Sequence, residues 1–152
     1  MQHFPIFVNL RAQSVVVVGG GEAALAKLRL LLKSEAQISV YCVAPDRQIE
    51  AWAKEGVVTL HRADLSANEL VGVRLIYAAD EDPAKDAITA KLAKEKGVLV
   101  NIVDNLRDSQ FITPAIVDRD PVTIAIGTEG TAPVHARMIK AEFETRLSPA
   151  LG

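Results

Sequence analysis

The chain has 152 residues, 49% hydrophobic and 24% charged, enough to bury one sizeable core, so one globular domain with a small appendage is expected. A formal net charge of −2 and a pI near 5.9 exclude the basic excess that a nucleic-acid partner requires. No apolar run approaches the ~20 residues that cross a bilayer, and no membrane association or export signal is expected, since His3, Pro5 and Asn9 interrupt the N-terminal segment. The single cysteine, Cys42, excludes an internal disulfide and suits a reducing cytoplasm.

The first strand is the apolar run Val15 to Val18, which breaks into Gly19-Gly20-Gly21-Glu22-Ala23-Ala24. This reads as G-x-G-x-x-A between a strand and a helix. Glycines at the first and third positions allow a tight turn and close approach to a pyrophosphate, and small Ala24 allows the helix to pack on the sheet. The helix N-terminus offers unpaired N–H groups to an anion. The plainer reading is a tight strand-to-helix turn with no ligand.

Leu25, Leu28, Leu31 and Leu32 recur at helical spacing over residues 23–33. Ile38 to Val43 reads as the second strand, Ile49 to Ala53 as a short helix ending at Gly56, and Val57 to Leu60 as the third strand. Leu65 to Val71 is a weakly patterned short helix, and Leu75 to Ala78 the fourth strand. Asp82-Pro83 opens a helix with Ala87, Ile88 and Leu92 facing inward and Gly97 ending it, before a fifth strand over Leu99 to Val103. Apolar strands alternating with helices predict an α/β, doubly wound parallel sheet of Rossmann type.

The pattern changes near residue 110. Phe111 to Val117 and Val122 to Ile126 are separated by four residues, too few for a helical crossover, so they predict an antiparallel hairpin. A helix follows from Val134 to Leu147, with Ala136, Ile139 and Phe143 on its buried side. Residues 1–110 thus form the expected dinucleotide-binding domain and 111–152 a hairpin-plus-helix module.

Ligands of doubly wound sheets lie beyond the carboxyl ends of the strands, so Asp104, directly after the fifth strand, shares an edge with the glycine turn. It either caps a turn, as most such aspartates do, or faces the cofactor. His3, His61 and His135 lack ligand spacing, so no resident metal is expected. Neither Tyr41 nor Tyr77 has a lysine four residues on, and no phosphate-binding G-x-x-x-x-G-K-[ST] occurs. Asp46 follows Pro45, so the second strand lacks the acid that commonly grips the adenosine ribose, and Arg47 reads as a surface residue, with a place near a 2′-phosphate as the alternative.

Six motifs occur in order: His3-Phe4-Pro5-Ile6-Phe7; the glycine turn with Lys27 and Leu30-Leu31-Leu32; Val43-Ala44-Pro45; Asn101-Ile102-Val103-Asp104; Phe111 to Ala115; and Gly130 to Arg137. Together they resemble the N-terminal domain of siroheme synthase, the precorrin-2 dehydrogenase and sirohydrochlorin ferrochelatase family. That resemblance implies NAD-dependent oxidation of precorrin-2 to sirohydrochlorin, then insertion of ferrous iron, which is a substrate and not a bound cofactor. It implies Asp104 as the catalytic carboxylate, and Gly19, Gly21, Glu22, Ala23, Val43 and Ala44 as the NAD contacts. Asn101, Thr128, Thr131 and Arg137 are the expected contacts to the tetrapyrrole, with Lys140 and Arg119 expected on solvated faces.

The resemblance further implies a cytoplasmic homodimer through residues 111–152. Family members continue into a further helical segment and fused forms add a uroporphyrinogen methyltransferase domain, so a fusion or association with one is expected and the chain reads as stopping short. Ala26 stands where the family often carries arginine. The competing expectation is an NAD(H)-sensing regulatory domain without chemistry.

Overall fold

A computed structural model describes residues 1–147; residues 148–152, the end of the expected hairpin-plus-helix module, lie outside the described residues. The chain divides into two compact units: residues 6–111, and residues 112 onward together with Met1–Pro5.

The larger unit is built on five parallel strands in the order β3-β2-β1-β4-β5, namely β1 (Ser14–Val18), β2 (Gln37–Tyr41), β3 (Thr59–His61), β4 (Val73–Ala78) and β5 (Leu99–Ile102). β1 is central, with Val18 registered against Tyr41 on one side and Ala78 on the other. The helices α1 (Glu22–Leu31), α2 (Arg47–Lys54) and α3 (Pro83–Glu95) complete the doubly wound arrangement that the alternation predicts. Alternation of side chains along β1 explains why its sequence is continuously apolar. Val15 and Val17 enter one core with Leu28, Ile49 and Tyr77, while Val16 and Val18 enter a second with Ile76, Ala90 and Val100.

Local chemistry sets the helix starts. Asp46 accepts from Gln48 N at 2.7 Å and Asp82 from Ala84 N at 2.9 Å, each cap contributing about 1 kcal/mol. The Leu65 to Val71 connection is a 3₁₀ turn (Ala67–Leu70), begun by a capping box in which Glu69 accepts from Ser66 N at 2.6 Å.

The inward face of α3 matches the expected one at Leu92, which packs half-buried against the core, and differs at the other two positions. Ile88 is 62% exposed and Ala87 is exposed, whereas Asp86, Thr89, Ala90 and Ala93 are buried. Small side chains let this helix lie close to the sheet, and buried Asp86 is satisfied by accepting from Asp80 N at 3.0 Å. Burial pushes its carboxyl above the ordinary range.

The smaller unit contains the antiparallel hairpin β6 (Ala115–Arg119) and β7 (Val122–Ile126), followed by α4 (Pro133–Arg146). Ala136 is buried against the hairpin side, but Phe143 remains 38% exposed, because two strands are too narrow to cover the whole apolar face of a fourteen-residue helix. Arg119 is half-buried and not on a solvated face: its guanidinium donates to Asp118 O at 2.9 Å and to Glu144 O at 3.4 Å, tying the hairpin to the last turn of α4.

Candidate functional site

The glycine turn joins β1 to α1 at the carboxyl edge of the sheet. Gly19 has φ +130, and a β-carbon there would fall inside the Ala79 carbonyl and 2.9 Å from Asp80 N. A β-carbon on Gly20 would meet Ala44 O at 2.6 Å, so the loops after β2 and β4 both press on this turn. Gly21 is the N-cap of α1 and supplies no side-chain cap hydrogen bond to the helix start. This close-walled, uncapped helix start fits a dinucleotide pyrophosphate.

Glu22 and Ala23 form the first two positions of α1, and Val43 and Ala44 are exposed just beyond β2, with Val43 65% accessible. The turn and the β2 end thus line one edge, as dinucleotide contacts must. Asp46 is committed to capping α2, which leaves the ribose position after β2 without an acid, and Arg47 is exposed.

Sequence reasoning missed Glu81. Its carboxylate lies against Gly21, closely enough that a β-carbon on that glycine would strike it. Glu81 itself has φ +67. No local signal marks it, since its position depends on the approach of the β4 to α3 turn to the glycine turn.

Asp104 ends β5 in a tight turn. Asn105 N donates to Ile102 O at 3.1 Å, and Asp104 adopts φ +59, a left-handed conformation that aspartate tolerates better than most residues. The following loop is fixed by Ser109, whose hydroxyl accepts from Ile102 N at 2.8 Å and donates to Asn105 O at 2.7 Å. The exposed Asp104 carboxylate has no hydrogen bond or ion pair among the described residues. A cavity of about 830 Å³ opens beside it, walled by Asp86, Ala90, Ile102 and Asn105 and by two lysines, Lys91 and Lys94, absent from the expected site.

Lys27, from the second turn of α1, places its ammonium 5.7 Å from the centroid of the Tyr77 ring. Burial lowers its pKa, and the negative charge of Asp104 offsets part of that effect. Asn101 is only 7% exposed. Its Nδ2 donates to Phe111 O at 2.9 Å, while its Oδ1 is buried without a hydrogen-bond partner. Cys42 is a buried free thiol whose pKa burial raises, the profile of a core residue and not of a nucleophile.

Thr128, Thr131 and Arg137 belong to the smaller unit. Thr131 donates to Thr128 O through its backbone N at 3.0 Å and its hydroxyl at 2.8 Å, and Arg137 is exposed near the start of α4. Lys140 is half-buried and lies 3.7 Å from Glu144. Between the two threonines, Glu129 gathers the N-terminus: it accepts from Gln2 N at 2.9 Å and His3 N at 3.2 Å, and contacts His3 Nδ1 at 2.5 Å. The His3 bond, with the backbone donors, holds the Glu129 carboxyl below its usual pKa. A depressed carboxylate contributes stability above its unfolded pKa and loses it as pH falls through the lowered folded value. Glu129→Gln is therefore expected to lower the melting temperature at neutral pH, with the difference from the parent chain vanishing on acidification through the carboxylate range; a pH-independent difference in thermal melts contradicts this.

Among the described residues no group of three or more His, Cys, Asp or Glu could hold a metal ion, and no helix is long and apolar enough to cross a membrane.

Comparison with known proteins gives a consistent picture. The whole chain aligns with siroheme synthase of Nitrosococcus oceani at 40% identity, covering 32% of that protein. It likewise aligns with siroheme synthase of Methylococcus capsulatus at 39%, again over 32% of the relative's length. The chain spans about a third of the length of the curated relatives it matches. Among solved structures, SirC, precorrin-2 dehydrogenase, superposes with a TM-score of 0.80 at 26% identity, over 97% of this chain and 72% of that one. An NAD(P)-binding family profile matches residues 6–115, the span holding the glycine turn and the β5 edge, and the chain belongs to that NAD(P)-binding family.

Proposed function

We propose that this chain oxidises precorrin-2 to sirohydrochlorin with NAD⁺, and that the same edge assists insertion of ferrous iron into the product. The observation that carries this reading is Asp104, an exposed carboxylate without a bonded partner, held in a left-handed turn on the sheet edge that also carries the glycine cradle. Bound NAD⁺ supplies the hydride acceptor. The macrocycle gives up a hydride and a proton, and Asp104 accepts the proton. Iron insertion releases two pyrrole N–H protons, and the same carboxylate assists their removal.

Gly19, Gly21, Glu22, Ala23, Val43 and Ala44 serve the cofactor, while Thr128, Thr131 and Arg137 serve the substrate's carboxylates. We place the chain in the cytoplasm as a homodimer completed through the hairpin and α4, beside or fused to a uroporphyrinogen methyltransferase. The similarity to siroheme synthases over the full chain supports this assignment, and the exposure of Phe143 and Met138 on α4 supports a second copy there.

Mixing the chain with NAD⁺ and precorrin-2 and following the visible spectrum tests the reading. Formation of sirohydrochlorin supports it, and addition of ferrous iron then reads chelation. NAD⁺ binding with no spectral change would favour a sensor. Arg137→Glu is expected to weaken tetrapyrrole affinity by roughly tenfold or more, the effect of losing a charge-assisted hydrogen bond, and to leave NAD⁺ affinity unchanged. Fluorescence titration with sirohydrochlorin measures the first and calorimetry the second; equal weakening of both ligands would remove Arg137 from the substrate site.

A further inference from the structure

Two polar groups on the α1 side of β4 and β5 are each half of an unmade interaction. Asn101 Oδ1 is an acceptor buried without a donor, an expensive condition that native structures rarely leave unexplained. The Lys27 ammonium is a half-buried donor with no hydrogen bond or ion pair among the described residues. Both flank one side chain: Lys27 lies over the Tyr77 ring, and Asn101 is registered directly opposite Tyr77 on the neighbouring strand. Phe111 meets the same ring edge-on, with centroids 5.3 Å apart, so the strip has aromatic walls.

The sheet order gives the strip its direction. With the glycine turn on β1 and Val43 and Ala44 beyond β2, one half of a dinucleotide runs toward β2 and the other toward β4 and β5. The second half ends in a flat pyridine ring bearing a primary carboxamide. That group has a carbonyl that needs a donor and an NH₂ that needs an acceptor, which are the two functions left open beside Tyr77.

We propose that Lys27 and Asn101 form the carboxamide subsite of the nicotinamide, with Lys27 Nζ donating to the carboxamide oxygen and Asn101 Oδ1 accepting from its NH₂. Asn101 then serves the cofactor and not the macrocycle. The loss of Lys27's solvation strengthens its hydrogen bond, and the Asn101 Nδ2 bond to Phe111 O fixes which way the amide points. The inference deepens the cofactor half of the dehydrogenase reading, and its test requires binding alone and no turnover.

Calorimetry with three probes tests it: NAD⁺; ADP-ribose, which lacks the pyridine; and 3-acetylpyridine adenine dinucleotide, in which a methyl replaces the carboxamide NH₂. In the parent chain the acetylpyridine analogue should bind about tenfold more weakly than NAD⁺, the loss of one buried hydrogen bond. Asn101→Leu should weaken NAD⁺ by a similar factor and abolish the difference between the two, whereas Lys27→Met should weaken both and preserve the difference. ADP-ribose affinity should stay unchanged in both variants. Lys27→Met keeps the aliphatic stem against Tyr77, so it reports even if the buried Asn101→Leu change impairs folding. Equal binding of NAD⁺ and its analogue by the parent chain, or an equal loss of ADP-ribose affinity in Lys27→Met, overturns the subsite. Failure of the parent chain to bind ADP-ribose and NAD⁺ alike overturns the dinucleotide reading with it.

Discussion

Asp104→Asn is expected to bind NAD⁺ as tightly as the parent chain, melt at the same temperature or slightly higher, and lose sirohydrochlorin formation by a factor on the order of 10²–10⁴. The stability half of this expectation follows from the backbone. Asp104 sits at φ +59, and asparagine enters the left-handed region at least as readily as aspartate, so the turn from Ile102 to Asn105 survives the change. The carboxylate makes no hydrogen bond among the described residues that the amide would forfeit. What changes is the capacity to take a proton. Asp104→Ala would be a poorer probe, because alanine pays about 1–2 kcal/mol for the left-handed conformation and would mix a folding cost with a chemical one. Stopped-flow turnover with matched NAD⁺ titrations measures both halves. Near-normal turnover would remove Asp104 from the mechanism, and a loss of NAD⁺ affinity equal to the loss of rate would recast it as a cofactor contact.

The sheet was legible because burial on both faces leaves a direct trace: Val15 to Val18 carry no polar alternation, and each pair of alternate residues enters a different core. The inner face of α3 left no such trace. Its Ala90 and Ala93 are too small to stand out in a hydrophobic pattern, Asp86 is polar, and of its two large aliphatic residues Leu92 packs against the core while Ile88 points outward. The short connection after β3 did carry a readable signal, Ser66-Ala67-Asn68-Glu69, the spacing of a capping box.

At the candidate site, local pattern reached the glycine turn and Asp104, because both are defined by where a strand stops. Glu81 and the Lys27, Tyr77 and Asn101 strip were beyond it, since each arises from strands or loops brought together by the sheet order. Asn101 shows the difference well. The resemblance pointed to it as a tetrapyrrole contact, but only the folded chain reveals an amide with one end bonded to Phe111 and the other unpaired.

Gly19→Ala is expected to cost about 3–5 kcal/mol of stability, among the larger penalties a single added methyl can impose. Two terms contribute, and other glycines of this chain separate them. Gly56 and Gly97 also have positive φ, +75 and +69, yet a β-carbon at either meets nothing within 4 Å. Alanine there pays the backbone term alone, about 1–2 kcal/mol. At Gly19 the same kind of term is joined by collision with the backbone of Ala79 and Asp80, which has no side-chain freedom with which to yield. The carbonyl cannot retreat cheaply, because Ala79 N donates to Val18 O at 2.8 Å and Asp80 N is held by buried Asp86. Relief must therefore pull β4 from β1 or tear the turn from Asp86. Either movement displaces Glu81 from Gly21 and opens the cradle. Urea unfolding of Gly19→Ala beside Gly97→Ala is the measurement: a gap of about 2 kcal/mol or more is expected, whereas equal penalties would mean that the turn yields, and that the close approach of β4 to the glycines does not constrain the dinucleotide cradle.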